Sequence, residues 1–387
     1  MKQEINTILK ELKPSGLRKF FDIANEMESV ISLSIGEPDF QTPEHIKQAA
    51  IKAIENGKTF YSPSAGLMAL RQSISHYLDR RFNLMYEPKT DIIVTVGASE
   101  GLDMAFRALL NPGDEVMIVQ PSFVCYEPMV LMALAKPIIL STSPENKFKL
   151  TLDQLKANWT DKTKMLILPY PSNPTGAIMT YEDLLPIAEF LRDKDIIIIS
   201  DEIYAELTYN EHGHASIAQF PYLKDKVVFV NGFSKSYAMT GWRIGYVAAH
   251  QSYIAAILKL HQYAVMCASM PSQIAAIEAM DHGDPDIQIM KKEYNSRRTY
   301  IVDRLNKMGL KCFEPEGAFY VFPDIRSTKL SSEEFCERLL YSQHVAVIPG
   351  NAFGDCGDGF IRISYSYSIK HITEALDRIE RFVLELK

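Results

Sequence analysis

The chain has 387 residues, 47% hydrophobic, 23% charged and 10% aromatic, with a formal net charge of −7. This composition fits a globular protein large enough for two domains and excludes a disordered or collagen-like chain. The acidic balance, with no basic run, argues against a nucleic-acid surface.

Five cysteines (Cys125, Cys267, Cys312, Cys336 and Cys356) are scattered without a C-x-x-C pair, so neither a disulfide framework nor a zinc knuckle is expected. A reducing, cytoplasmic setting fits that usage. The opening MKQEINTILKELKPSG mixes charges and lacks the apolar core of a signal peptide. No apolar run reaches the roughly 18 residues that a membrane span needs.

From residue 91 onward, short β-branched runs alternate with amphipathic segments. DIIVTVG reads as a strand and SEGLDMAFRALL as the helix after it; EVMIVQP and FVCYEPMVLMALA repeat the pair. KPIILS, KMLILPYP, DIIIISDE and KVVFVNG continue the strands, with TLDQLKANW and TYEDLLPIAEFLRDK as helices between them. Near-continuous Ile/Val/Leu strands in such alternation predict an α/β fold with a mostly parallel sheet flanked by helices. The last third differs. DIQIMKKEYNSRRTYIVDRLNKMG reads as a long charged helix, GAFYVFPD and FIRISYSYS alternate like antiparallel strands, and KHITEALDRIERFVLEL closes as a helix. The expected organisation is a large cofactor-binding domain over 41–275 and a smaller α+β domain formed by 1–40 and 276–387.

Ligands of parallel α/β sheets bind beyond the carboxyl ends of the strands, which directs attention to GASEG, PSFVCY, YPSNPTG, SDEIY and NGFSK. Lys235 offers an amine able to form a Schiff base with a carbonyl cofactor. Asp201, at the end of the most hydrophobic strand, could pair with a protonated ring nitrogen. Ser234, Arg243 and the Gly97–Ser99 turn are phosphate-type ligands: hydroxyls, a guanidinium and backbone amides opening a helix. Together they supply what pyridoxal 5′-phosphate requires. Each has a plainer reading alone: Lys235 as a surface lysine, Asp201 as a helix cap, Asn173-Pro174 as a turn, Arg362 as a strand-edge charge. Tyr126 fits core or site equally. Of the other arginines, Arg18 and Arg71 are open to a substrate role, whereas Arg297 and Arg298 read as a solvated helix face. His212 and His214 read as a polar loop, and no metal site is expected.

SLSIGEPDF, YSPSAGLMALR, VTVGASEG, PYPSNPTG, SDEIY, SKSYAMTGWRIGY, GAFYVF and IRISYS occur in this order nearly end to end. In this the chain resembles the class I/II pyridoxal-phosphate-dependent aminotransferases of fold type I. The resemblance implies that Lys235 is the Schiff-base lysine and proton carrier, that Asp201 holds the pyridine nitrogen protonated, and that Tyr204 bonds the phenolic oxygen. It further implies that Asn173 shares that oxygen and touches the substrate carboxylate, while Phe123 stacks on the ring. Ala98, Ser99, Ser234 and Arg243 would hold the phosphate, and Tyr61 would reach the phosphate of a neighbouring subunit in a homodimer with shared sites. Gly36 and Arg362 would receive the α-carboxylate, and a cis bond is expected at Asn173–Pro174. Two departures stand out: Gly232 where many relatives carry a phosphate-binding hydroxyl, and Ser99 where some aspartate-specific relatives carry lysine.

The implied activity is ping-pong transfer of an amino group from an L-amino acid to a 2-oxo acid, with 2-oxoglutarate expected as acceptor. LPYPSNPTG, SDEIYAELTY and ILKLHQYAVMCAS are similar to the bacterial subgroup of N-acetyl-LL-diaminopimelate and aromatic amino-acid aminotransferases. The first substrate, from lysine biosynthesis, is the preferred expectation and an aromatic amino acid the alternative. A C–S lyase on the same fold is a further rival that TGWRIGY disfavours. A nucleotide-dependent oxidoreductase lacks its G-x-G-x-x-G fingerprint here.

Overall fold

The structure is a computed structural model that describes residues 6–12, 27 and 29–386. After a short helix at Thr7–Glu11, strand β1 (Ile31–Ser32) is followed by helices Glu44–Glu55 and Met68–Phe82. The series foreseen from the sequence follows: β2 (Ile92–Thr95), β3 (Glu115–Gln120), β4 (Lys136–Ser141), β5 (Thr163–Leu168), β6 (Ile197–Asp201) and β7 (Val227–Gly232). One strand of the large sheet was not foreseen, β8 (Gly245–Ala249). Its sequence, GYVAA, has two alanines and a glycine and so carries little of the branched signature of its neighbours.

These strands form a seven-stranded sheet in the order β2-β8-β7-β6-β5-β3-β4. Strand β8 lies antiparallel to both β2 and β7, and the others share one direction. Both faces are covered, as continuous apolar strands require. Alternate residues of each strand divide between two buried clusters: Val94, Met117, Leu166, Ile198 and Phe229 on one face, Ile93, Ile118, Ile167, Ile199 and Val230 on the other. The first cluster continues into the C-terminal elements through residues such as Phe319, Leu339 and Ile372.

Those elements are the helix Asp284–Met308, β9 (Tyr320–Val321), the helix Ser332–Gln343, β10 (Val345–Ala346), β11 (Ile348–Pro349), β12 (Ile361–Ser364) and the helix Ile369–Glu385. Strands β11, β12 and β9 make an antiparallel sheet, whereas β1 pairs in parallel with β10. The pairing ties the segment just before Gly36 to the C-terminal part of the chain. Residue 275, where the sequence suggested a boundary, lies inside the helix Met270–His282, which packs on Glu44–Glu55 and Met68–Phe82. Its Gln273 ties the loop before Met68–Phe82 to this helix: the amide oxygen accepts from Leu67 N and the amide nitrogen donates to Ser62 Oγ and Ala268 O.

Candidate active site

Because all strands of the large sheet but β8 run the same way, β2, β3, β5, β6 and β7 release the chain along one edge. A cavity of about 330 Å³ opens there, within the range of small-molecule sites. Its wall includes Ala98 and Ser99 from the β2 exit, Phe123 from β3, Asn173 from β5, Asp201 and Tyr204 from β6, and Ser234 and Lys235 from β7. Arg243, just before β8, completes that edge, and Gly36 and Arg362 reach it from β1 and β12. Tyr61 is the exception: it is 80% exposed and outside this cavity. Arg18 lies outside the described residues.

Lys235 Nζ donates to the carbonyl of Gly36 at 2.7 Å. Burial pushes the amine down to about 8, Glu37 opposes this, and the nearby cations Arg362 and Arg243 add to it. Asp201 is 6% exposed, and burial raises its carboxyl to about 6. Two donors oppose the rise: the Tyr126 hydroxyl on Oδ2 at 2.6 Å and the Ile203 N–H on Oδ1 at 3.3 Å. Tyr126 therefore belongs to the site, and Phe123 meets it edge-on at 6.1 Å.

The phosphate-type corner is built by close backbone approach. Gly97, at φ +78°, precedes the helix Ala98–Leu109. A Cβ there would meet the Arg243 guanidinium at 2.5 Å, and one on Gly245 would meet Ala98 N at 2.7 Å. Only glycines let the helix start, β8 and Arg243 converge in this way. Arg243 Nη1 donates to Thr240 O at 3.0 Å, aiming the guanidinium at the turn. Gly232 is explained by packing. It faces Gly245 across the β7–β8 pair, and a Cβ would come within 3.2 Å of Gly245 Cα, Ile203 Cδ1 and Ile244 O. A hydroxyl-bearing residue would press on the neighbouring strand.

Arg362 is 2% exposed. Nη1 donates to Asn173 Oδ1 at 2.9 Å, Nη2 donates to Ser34 O, and Nε is buried without a partner. Its guanidinium carbon lies 4.6 Å from the centre of the Tyr320 ring and 4.8 Å from that of Phe353. The peptide bond from Asn173 to Pro174 is cis. Tyr320 was not singled out from the sequence, yet its hydroxyl lies 2.7 Å from that of Tyr204. Ile35, Leu102, Pro169, Pro171 and Ile203 add apolar wall that the sequence reading also missed.

The arginine pair expected on a solvated face is otherwise placed. Arg297 is 5% exposed and paired with Asp39 at 2.8 Å and Glu293 at 3.0 Å, and Arg298 binds Glu314 and the Pro315 carbonyl. Glu293 belongs to the same helix and Glu314 follows it closely, whereas Asp39 comes from the far N-terminal part of the chain. Arg71 is also buried, donating to the carbonyls of Pro88 and Lys89. His214 is held against buried Glu202 at 2.6 Å, so it is not a loose polar loop residue. Among the described residues no group of three or more His, Cys, Asp or Glu could hold a metal ion, and no helix is long and apolar enough to cross a membrane.

One sheet edge thus gathers an amine whose pKa burial lowers, a buried carboxylate, a glycine-lined basic corner and an arginine stacked on aromatic rings around a single cavity. The sequence profile of the family described as aminotransferase class I and II matches residues 28–379. The chain is 48% identical to a putative aminotransferase, YugH, of Bacillus subtilis, with 99% of each chain covered. It is 45% identical to a probable N-acetyl-LL-diaminopimelate aminotransferase of the same organism, covering 100% of this chain and 97% of the relative. A crystal structure of an aromatic aminotransferase from Pyrococcus horikoshii superposes with a TM-score of 0.91 at 43% identity, covering 95% of this chain and 99% of that one. Further relatives are named as aspartate aminotransferases. The chain belongs to the class I and II aminotransferases. It is an aminotransferase with their mostly parallel central sheet flanked by helices.

Proposed function

We propose that this aminotransferase works with pyridoxal 5′-phosphate in the cavity at the strand exits, moving the amino group of an L-amino acid to a 2-oxo acid, with 2-oxoglutarate as acceptor. The residues present fit that group: an amine with a depressed pKa, a buried carboxylate, and a corner that a Cβ on Gly97 would fill. When bound, the cofactor supplies an aldehyde that takes up the amino group and a ring that withdraws electrons from the substrate Cα, so donor and acceptor react in alternation.

The chain's own residues have distinct tasks. Lys235, neutral above about pH 8, takes and returns the proton at the substrate Cα. Asp201 presents an oriented carboxylate to a ring N–H, and Tyr204 and Asn173 present an O–H and an amide to a phenolic oxygen. Phe123 supplies an aromatic face. The amides of Ala98 and Ser99, the Ser234 hydroxyl and Arg243 neutralise a phosphate. Arg362, with Gly36 and Asn173, receives the α-carboxylate. In the homodimer we propose, Tyr61 serves the site of the second copy. Residues 41–275 act as the cofactor-binding domain, 1–40 and 276–387 as the small domain, and the enzyme works in the cytoplasm.

The observation that carries this reading is that Arg362, a buried guanidinium, lines the same cavity as Lys235. A buried cation is costly unless an opposite charge meets it, and a substrate carboxylate in the cavity would supply that charge. For the amino donor we infer N-acetyl-LL-2,6-diaminopimelate, supported by the relative of that name at 45% identity. An aromatic amino acid is the second reading, supported by the apolar wall of Ile35, Leu102 and Ile203 and by the aromatic aminotransferase at TM-score 0.91.

Single-turnover reaction of the loaded enzyme with each donor, without acceptor and followed by the cofactor's visible band, decides between them. N-acetyl-LL-2,6-diaminopimelate reacting fastest supports the first reading, and phenylalanine or tyrosine reacting fastest replaces it. Lys235→Ala is expected to abolish turnover while still binding pyridoxal phosphate non-covalently. Near-normal transamination by that variant would overturn the mechanism.

A further inference from the structure

Tyr320 touches three parts of the site at once. It stands in β9 opposite Ser364 of β12, and Arg362 lies two residues before Ser364 on the same face of that strand. This register lays the Tyr320 ring against the Arg362 guanidinium at 4.6 Å, opposite Phe353. The phenol extends past the arginine to the Tyr204 hydroxyl, 2.7 Å away. It also fills the space beside Gly36, where a Cβ would lie 1.9 Å from the Tyr320 oxygen. The side chain is 1% exposed, so water does not compete for these contacts.

Two hydroxyls at hydrogen-bond distance share one proton between them, so one donates and the other accepts. The Arg362 guanidinium lies 4.6 Å from the centre of the Tyr320 ring, and its charge opposes the rise that burial causes in that hydroxyl, so the stacked phenol is the one polarised toward giving up its proton. The more acidic hydroxyl is the better donor. We infer that Tyr320 is a positioning residue: its hydroxyl donates to Tyr204, so that Tyr204 turns its own proton into the cavity, and its ring holds the Arg362 fork at the substrate end. This rests on the pyridoxal-phosphate reading above. Tyr320 acts through Tyr204 and Arg362 and not on the reacting atoms.

The two arms separate by substitution. Tyr320→Phe keeps the ring and removes only the hydroxyl, whereas Tyr320→Leu removes both. The resting enzyme, loaded with pyridoxal 5′-phosphate and free of substrate, is titrated by its visible absorbance, and KM and kcat for the amino donor are measured separately. Tyr320→Phe is expected to raise the midpoint of the absorbance titration by about 0.5 pH unit or more, because loss of one hydrogen bond leaves Tyr204 less firmly oriented toward the cofactor. Its KM should stay within about twofold of wild type. Tyr320→Leu should show the same shift and a KM raised about tenfold, the scale of losing a desolvated cation–ring contact. A Tyr320→Phe midpoint equal to wild type overturns the hydroxyl arm, and an unchanged KM in Tyr320→Leu overturns the ring arm. If wild type shows no visible band that Lys235→Ala loses, the cofactor reading itself fails, a result distinct from either.

Discussion

The Tyr126 hydroxyl donates a 2.6 Å hydrogen bond to Asp201 Oδ2 with both side chains buried. The bond favours the ionised carboxyl against a burial that raises it to about 6. Tyr126→Phe is therefore expected to raise the carboxyl further, by about one pH unit. The sign is fixed by the charge: Asp201 gains its proton as pH falls through its pKa, so the variant loses the carboxylate at a higher pH than wild type. Carbon-13 NMR of the aspartate carboxyls in the cofactor-free protein measures this directly. An Asp201 titration indistinguishable from wild type would refute it.

Lys235 gives a second pH signature. Its amine lies near 8 instead of the usual value near 10.4. Reductive trapping of pyridoxal at this lysine, read apart from the protein's other lysines, should rise with pH in the cofactor-free protein to a plateau with a midpoint near 8. Peptide mapping after borohydride treatment at a series of pH values distinguishes them. The folded protein binds its Lys235 proton more weakly than the unfolded chain does. Burial of Lys235 therefore costs stability below pH 8, and the cost disappears as pH rises from 8 to about 10.4.

Gly36→Ala is expected to destabilise the fold by about 1–3 kcal/mol, the scale of an overpacked core. The added methyl would strike the Tyr320 hydroxyl. Combining it with Tyr320→Phe should recover part of the loss, since the oxygen, at 1.9 Å, is in deeper conflict than the ring carbon Cζ at 2.8 Å. Denaturant unfolding of the four proteins in the cycle measures the coupling, and strict additivity would contradict the contact.

Glu206 lies inside the large part of the fold, accepting from Arg81 Nε at 2.8 Å, Arg81 Nη2 at 2.5 Å and the Tyr77 hydroxyl at 2.6 Å. Arg81→Met strands that carboxylate, and a loss of about 3–5 kcal/mol in unfolding free energy is expected. Arg81→Met with Glu206→Gln should lose much less. Equal losses in the single and double variants would show that the charge pair is not the cause.

Where sequence and structure agree, the reason is local. Strands β2 to β7 are runs of branched residues, and the polar residues that end them could only lie at the exits, so Ala98, Asn173, Asp201 and Lys235 were legible. Strand β8 was hidden by its alanines. Tyr320 was hidden for a different reason: GAFYVF yields only two strand residues, and the target of the phenol depends on the pairing of β9 with β12. Arg297 looked like one more charge on a long charged helix because Asp39, its partner, is 258 residues away. Gly232 looked like a lost phosphate ligand until its register opposite Gly245 showed what the space is for.

Arg362 is clamped between two rings with two of its nitrogens already engaged. A free arginine side chain gives up on the order of 1.5–2 kcal/mol of rotamer entropy when it is fixed. Here that loss falls on folding and not on the arrival of the substrate. Under the function proposed above, a carboxylate entering the cavity would meet a guanidinium that has no search left to make, and its affinity at that end would reflect electrostatics and desolvation alone.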